Sequence, residues 1–224
     1  MISKSKIFEV YESQDSRRRQ LCTINLAPGR NVYGERLVNE NGIEYREWDA
    51  SKSKLAASIL KGSPNIGMRK NDVVLYLGSA SGTTVSHVSD IVGENGLVFA
   101  VDIAPRVMRD LIFLCYQRKN IAPVLADASK TGLLKERICA ADVIYQDVAQ
   151  KNQIGIFLKN VGIFLKSGGY GLLAVKARSI DVTQNPKHIF REVREKLEKE
   201  LTIIDYRELE PFQKDHCMFV CKKK

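Results

Sequence analysis

The pattern of apolar and polar positions differs between the first fifty residues and the rest of the chain. In the first part, short segments rich in β-branched and aromatic residues predict strands over 6–11 and 20–26. A third segment, 37–45, predicts a hairpin, because Asn41-Gly42 is a dipeptide that tight hairpin turns favour. We therefore predict a small β-sheet module over residues 1–50.

From residue 51 onward, apolar runs of strand length alternate with segments of helical periodicity. This alternation predicts a domain over 51–224 with a doubly wound, mostly parallel sheet covered by helices on both faces. The last two strands are joined by a short polar loop without a helix, so we expect them to pair antiparallel at one edge. The predicted strands are a run ending at Gly78 and residues 97–101, 123–126, 143–145, 171–175, 201–207 and 217–221; the predicted helices are 51–60, 83–92, 106–119, 154–165 and 186–200.

The clearest local signal is the segment Leu-Tyr-Leu-Gly-Ser-Ala-Ser-Gly-Thr-Thr at 75–84. An apolar strand stops at Gly78, a loop of small residues runs to Gly82, and a helical pattern begins at Thr83. Such a loop lets the backbone close around a ligand while helix N–H groups point at it. The loop lacks the third glycine of the dinucleotide fingerprint and the Gly-Lys pair of a Walker loop, so by itself it does not identify the ligand.

Polar residues follow the next strands of the predicted sheet: Asp102, Asp127, Asp147 and Lys176. Any one of them could cap a helix or end a strand in solvent, but together beside a glycine loop they predict a ligand cleft at the carboxyl edge of the sheet. Asp102 follows Gly78 at close to the ~20-residue spacing of an acid that binds ribose hydroxyls. With the antiparallel final pair, this favours the seven-stranded, Rossmann-like fold of S-adenosylmethionine-dependent methyltransferases.

Composition narrows the class of protein only slightly. The 224 residues, 44% of them hydrophobic, suit a globular protein, and no apolar stretch approaches the ~18 residues of a membrane span. The five cysteines form no Cys-x-x-Cys pair, so we expect reduced thiols and no metal site. A net charge of +9 favours a polyanionic partner. The run Arg17-Arg18-Arg19 is interpreted as a solvated turn in preference to an RNA contact.

Five strings carry a closer likeness: Tyr-Arg-Glu-Trp at 45–48, Ser-Lys-Leu-Ala-Ala at 53–57, the long string at 76–90, Asp-Val-Ala-Gln at 147–150 and Asp-His at 215–216. From about Val32 to its end, the chain resembles the fibrillarin family. Two local departures are Lys52, where arginine is common, and Asp49-Ala50, where a proline often occurs. Without a glycine- and arginine-rich N-terminal extension the sequence looks like the archaeal form, and we expect a cytoplasmic protein.

The resemblance implies an enzyme that methylates ribose 2′-hydroxyl groups of pre-rRNA and tRNA with S-adenosylmethionine. It implies that a box C/D guide RNA selects the target, within a ribonucleoprotein that holds a Nop-family scaffold protein and a kink-turn-binding protein. The implied cofactor-binding residues are Gly78, Ser79, Ala80, Thr83, Thr84 (methionine end), Asp102 (ribose), Ile103, Asp127, Ala128 (adenine side), Asp147, Val148, Ala149 and Gln150; the implied catalytic residues are Lys54, Asp147, Lys176 and His216.

A ribose hydroxyl is a weak nucleophile, so transfer needs alignment and removal of a proton. Our hypothesis is that Lys176 takes this proton, with a pKa lowered by burial and by Lys54, while Asp147 orients the ammonium groups and His216 completes the arrangement. Two structural alternatives to a catalytic role stay open. Lys54 could lie on a solvated helix face, and His216 could serve only in contacts with the neighbouring strand. The whole chain could also be a catalytically silent scaffold, or a methyltransferase acting on a protein or a small molecule.

Overall fold

The computed structural model describes residues 1–13 and 19–224. The N-terminal part forms an antiparallel sheet with the order β1-β2-β3-β5-β4. The predicted hairpin is confirmed: Asn41 and Gly42 have φ values of 54° and 78°, as its tight turn requires. The strands are β1 (Ile2–Lys4), β2 (Tyr11–Ser13), β3 (Gln20–Ile24), β4 (Leu37–Glu40) and β5 (Ile43–Trp48).

The strand predicted over 6–11 is wrong. Residues 6–10 form a turn that joins β1 to β2, closed by a hydrogen bond from the Ser5 N–H to the Val10 carbonyl at 3.0 Å, and Glu9 has a φ of 53°; only Tyr11 belongs to a strand. Arg17 and Arg18 lie outside the described residues. Arg19 pairs with Glu12 on the neighbouring strand, at 2.6 Å between Nη2 and Oε1, which agrees with a role at the surface of this sheet.

The main sheet has seven strands in the order β11-β12-β10-β9-β6-β7-β8. The five strands from β10 to β8 run parallel, whereas β12 is antiparallel to both β10 and β11. Both the doubly wound sheet and its antiparallel final pair are therefore confirmed. The strands are β6 (Val73–Leu77), β7 (Leu97–Asp102), β8 (Ile121–Leu125), β9 (Ala141–Gln146), β10 (Leu165–Lys176), β11 (Leu201–Glu208) and β12 (His216–Lys223).

The five long helices agree with the predicted ones to within a few residues. The first begins later than predicted, because Ser53 caps it by accepting a hydrogen bond from the Ala56 N–H. Two one-turn helices, α4 and α6, were not predicted, since a single turn is too short to show a helical period. The helices are α1 (Lys54–Leu60), α2 (Thr83–Val92), α3 (Pro105–Gln117), α4 (Thr131–Lys135), α5 (Gln153–Phe164), α6 (Ala177–Ile180) and α7 (Pro186–Glu198).

The N-terminal sheet packs against helix α2 through a buried polar cluster. Trp48 is fully buried and stacks on His87, with ring centroids 4.8 Å apart. Arg46, also fully buried, pairs with Glu35 at 2.7 Å and with Asp90 at 2.9 Å. Because an unpaired buried charge is costly, these pairs hold the two sheets in one arrangement.

His87 lies inside this cluster and has a structural role. Its two ring nitrogens lie 2.8 Å from the hydroxyls of Thr23 and Tyr33. Burial, with Arg46 and Arg118 nearby, holds its pKa well below the usual value, so the ring is neutral. In the described parts of the chain, none of the helices has the length and apolar character needed to cross a membrane.

Candidate active site

The loop after β6 needs glycine at two positions. Gly78 has a φ of 83°, and a Cβ there would lie 2.4 Å from the Asp147 carbonyl oxygen. Gly82, with a φ of 99°, precedes helix α2, and a Cβ there would lie 2.6 Å from a methyl group of Leu114. Positive φ and close packing together exclude a side chain at both places. The loop can therefore lie tightly against the ends of the neighbouring strands.

A cleft of about 260 Å³ opens at the carboxyl ends of β6, β7, β8 and β9. This is where an open parallel sheet places its ligand. Ten of the thirteen residues that the resemblance assigned to the cofactor line it, and two apolar residues, Val101 and Ala126, line it without having been predicted. The predicted lining residues are Gly78, Ala80, Asp102, Ile103, Asp127, Ala128, Asp147, Val148, Ala149 and Gln150.

The charged side chains of the cleft are all acidic: Asp102, Asp127 and Asp147, with neither lysine nor arginine among the described residues that line it. The two oxygens of Asp102 accept hydrogen bonds from the N–H groups of Ala80 and Ala104, at 2.8 and 2.9 Å. A hydrogen bond from the backbone N–H of Ser129 lowers the pKa of Asp127. An acidic cleft of this size suits a ligand with hydroxyl groups and positive charge, and it disfavours phosphates.

The structure does not bring Ser79, Thr83 and Thr84 into this cleft. The Thr84 hydroxyl donates to the Ser53 hydroxyl at 3.0 Å, and so ties helix α2 to the start of helix α1. Thr83 lines a separate groove that also contains Phe113. Ser79 is buried, and its hydroxyl has no hydrogen-bond partner within the described ranges. The cofactor contacts expected of these three residues stay predictions.

Lys54 and Asp147 form an ion pair at the rim of the cleft. Lys54 is the first residue of helix α1, Asp147 directly follows β9, and Lys54 Nζ lies 2.7 Å from Asp147 Oδ2. About a quarter of each side chain is exposed, at 22% and 24%. The alternative of Lys54 on a solvated helix face is therefore wrong. The pair holds an ammonium group beside the cleft.

Lys176 and His216 face each other across the antiparallel strands β10 and β12. His216 is partly buried, and its Nδ1 lies 2.5 Å from the Lys214 carbonyl oxygen. A carbonyl can only accept, so Nδ1 carries the proton and Nε2 is an acceptor. Burial lowers the pKa of His216; the cations Lys54 and Lys176 also lower it, against the opposing effect of Asp147. His216 thus lies within electrostatic range of the three other predicted catalytic residues.

The expected burial of Lys176 is wrong, because its side chain is exposed. Lys176 is the last residue of β10, three positions beyond Leu173, which is the last residue of β10 paired with β9. At that point none of the described strands lies beside it on the β9 side of the sheet. The Lys176 side chain is therefore exposed to solvent at the carboxyl end of β10.

Sequence reasoning missed two buried amides beneath these residues. Gln146 is the last residue of β9 and Gln153 the first of helix α5, and both are fully buried. Gln146 could have been identified from the sequence, because it is a polar residue at the end of an apolar strand. Gln153 could not, because the polar residues before it are exposed and nothing distinguishes it from them. Within the part of the chain described here, no group of His, Cys, Asp and Glu side chains is placed to hold a metal ion.

The sheet order, the antiparallel β12 and the acidic cleft define the class of S-adenosylmethionine-dependent methyltransferases with a Rossmann-like fold. The model of the family described as Fibrillarin matches residues 1–224. The chain is 47% identical over 209 residues to the fibrillarin-like rRNA/tRNA 2′-O-methyltransferase of Thermococcus gammatolerans, an alignment that covers 93% of this chain and 92% of the relative. The chain belongs to the fibrillarin family.

Two solved structures agree with this assignment. Aeropyrum pernix fibrillarin, in complex with natively bound S-adenosyl-L-methionine, has a TM-score of 0.91 and 43% identity, over 99% of this chain and 97% of that one. The fibrillarin of a fibrillarin/Nop5p complex has a TM-score of 0.89 and 40% identity, over 99% of this chain and 100% of that one. The family and the fold class predicted from the sequence are thus confirmed.

Proposed function

We propose that this protein transfers a methyl group from S-adenosylmethionine to ribose 2′-hydroxyl groups of rRNA and tRNA. The observation that carries the proposal is the convergence of Lys54, Asp147, Lys176 and His216 beside an acidic cleft of nucleoside size. The Thermococcus gammatolerans relative has this activity in its name, and the Aeropyrum pernix fibrillarin binds this cofactor. The chain matches both over nearly its whole length.

The residues of the cleft fit this cofactor. Asp102, held by two backbone N–H groups, can accept hydrogen bonds from the two ribose hydroxyls. Ile103, which is 57% exposed, together with Ala128 and Val148, offers an apolar wall to the adenine. The cofactor carries a sulfonium and an ammonium group but no phosphate, so it matches a cleft that is lined by carboxylates.

When bound, S-adenosylmethionine supplies an electrophilic methyl carbon, whose bond to sulfur breaks as its bond to the ribose oxygen forms and S-adenosylhomocysteine is left. The ion pair with Asp147 fixes the Lys54 side chain, so that Lys54 serves to position groups at the rim. Lys176, which has no carboxylate within ion-pair distance among the described residues, takes the proton of the 2′-hydroxyl. His216, the residue opposite Lys176 across β10 and β12, helps to orient Lys176.

The target is chosen by a box C/D guide RNA, in a particle that also contains a Nop-family scaffold and a kink-turn-binding protein. The fibrillarin/Nop5p complex supports the scaffold partner. The net charge of +9 supports contact with RNA backbones, and base pairing with the guide can supply the sequence choice that such contacts lack. A family member without its own sequence-reading motif needs such a guide.

The test is reconstitution with a guide RNA, the two partner proteins and tritiated cofactor. We expect the label in alkali-resistant dinucleotides, since a 2′-O-methyl group blocks cleavage at that linkage, and we expect the methylated position to move when the guide sequence is changed. Label that ignores the guide would contradict guided selection. Label in protein would favour the protein methyltransferase, and no transfer at all would favour the silent scaffold.

A further inference from the structure

Two fully buried glutamines join the wall of the cleft to the end of strand β10. The Gln146 amide donates to the backbone carbonyl of Gln153 at 2.7 Å. The Gln153 amide donates to the carbonyl of Gln150 at 3.0 Å and to the carbonyl of Lys176 at 3.4 Å. Its oxygen accepts from the Lys176 N–H at 3.4 Å. Both N–H groups and the oxygen of the Gln153 amide are thus used.

The backbone of Lys176 depends on this amide for its hydrogen bonds. Neighbouring residues of a strand point their backbone groups to opposite sides, and the Ala177 N–H already donates to Asp215 on the β12 side. The backbone groups of Lys176 therefore point to the other side, where the pairing of β9 has ended at Gln146. The Gln153 side chain takes the place of the missing strand and bonds both backbone groups of Lys176.

This arrangement also explains why Lys176 and His216 lie close together. In an antiparallel sheet, two facing residues whose backbone groups point away from each other form a non-hydrogen-bonded pair. Their side chains lie closer together than those of a hydrogen-bonded pair. Gln153 thus holds Lys176 in the orientation that places it beside His216. Through Gln150, which lines the cleft, the same amide joins Lys176 to the wall of the cleft.

We propose that Gln153 is a positioning residue for methyl transfer, which couples the cofactor wall at Gln150 to the proton acceptor Lys176. The proposal rests on the function proposed above. The contacts of Gln153 with the reaction are all indirect: it acts through the backbones of these two residues. Gln153 lies at the buried start of helix α5, so its own place is set by the core beneath the sheet.

The test compares Gln153→Met, which keeps the volume but removes all three side-chain hydrogen bonds, with Asn120→Leu. Asn120 is a matched control: its buried amide also uses both N–H groups and its oxygen, bonding Ser89 and Gly93 far from the cleft. In the reconstituted particle at saturating cofactor, we expect Gln153→Met to slow single-turnover methylation at least tenfold. Asn120→Leu should change the rate less than twofold, even though both variants lower the melting temperature.

A second comparison separates positioning from general destabilisation. On a Lys176→Ala background, Gln153→Met should slow the residual rate less than twofold, because the side chain that Gln153 positions is already gone. Equal slowing on both backgrounds, or an unchanged rate in Gln153→Met alone, would overturn the proposal. If Gln153→Met does not fold, Gln153→Asn replaces it, since asparagine keeps an amide but is one methylene too short to keep all three hydrogen bonds.

Hydrogen exchange of the Lys176 amide tests the same contact without any activity. We expect faster exchange at Lys176 in Gln153→Met and no change in Asn120→Leu. If the wild-type particle methylated no RNA, the proposed function would fail while the exchange result still reported on Gln153. If the wild type were active and exchange at Lys176 did not change in Gln153→Met, the positioning role alone would be wrong.

Discussion

At the scale of single residues, the site combines groups that differ in how firmly they are held. Lys54 is fixed by its 2.7 Å ion pair with Asp147, whereas Lys176 is exposed and held through its backbone. His216 is held by the carbonyl of Lys214, and burial lowers its pKa. This division suits the proposed site, in which Lys54 positions groups at the rim and Lys176 takes the proton of the 2′-hydroxyl.

We predict that Asp147→Asn slows single-turnover methylation roughly 100-fold at saturating cofactor, because Lys54 loses the charge that holds it and the reacting groups lose their alignment. The control is Asp142→Asn, which removes a carboxylate from an ion pair of the same length, 2.7 Å to Lys166, at the opposite end of β9. The control should keep its rate within twofold. If Asp142→Asn were slow while Asp147→Asn kept its rate, methyl transfer would not depend on Asp147.

At the scale of secondary-structure elements, the cleft depends on a glycine loop between β6 and α2. We predict that Gly78→Ala weakens cofactor binding at least tenfold and lowers the free energy of unfolding by about 1–3 kcal/mol. The reason is that φ is 83° and the new Cβ would lie 2.4 Å from the Asp147 carbonyl oxygen. Calorimetric titration with S-adenosylmethionine and urea unfolding measure the two effects.

Gly34→Ala is the matched control for this change. Gly34 has a φ of 82°, but a Cβ there meets nothing within 4 Å. It therefore carries the same backbone strain without the clash, and should lose some stability while cofactor affinity is unchanged. If both variants bound the cofactor equally well, the close approach of Gly78 to Asp147 would be irrelevant to the cleft.

At the scale of the whole molecule, the two sheets are joined by a buried cluster in which His87 must stay neutral. Its folded pKa is well below the usual value, so the unfolded chain binds more protons than the folded one. Stability from this residue is complete above the unfolded pKa of about 6.5 and falls as the pH drops below it. Burial sets this preference, and the nearby cations Arg46 and Arg118 strengthen it.

We predict that lowering the pH from 6.5 to 5 removes about 2 kcal/mol of the free energy of unfolding through His87, at ~1.4 kcal/mol per pH unit. His87→Gln, which keeps a hydrogen-bonding group for Thr23 but does not titrate, should lose about 2 kcal/mol less than the wild type over this range. Urea unfolding at the two pH values measures the difference. An identical pH dependence in both proteins would show that His87 is not responsible.

The sequence determined the features that depend on neighbouring residues. The alternation of strands and helices, the Asn41-Gly42 hairpin, the glycine loop and helix α2 over Thr83–Val92 follow from local periodicity and backbone preference. Family-specific strings added the family and the residues of the site. Local patterns failed where a segment was too short, as in α4, or where turns replaced a predicted strand, as at 6–11.

Only the tertiary structure decided which of these residues meet. Lys54 and Asp147 lie far apart in the sequence and form an ion pair because the start of α1 packs at the end of β9. The structure also showed that Lys176 is exposed, that Thr84 bonds Ser53 and that Gln153 completes the edge of β10. Burial and hydrogen-bond partners depend on how elements pack, which no local period encodes.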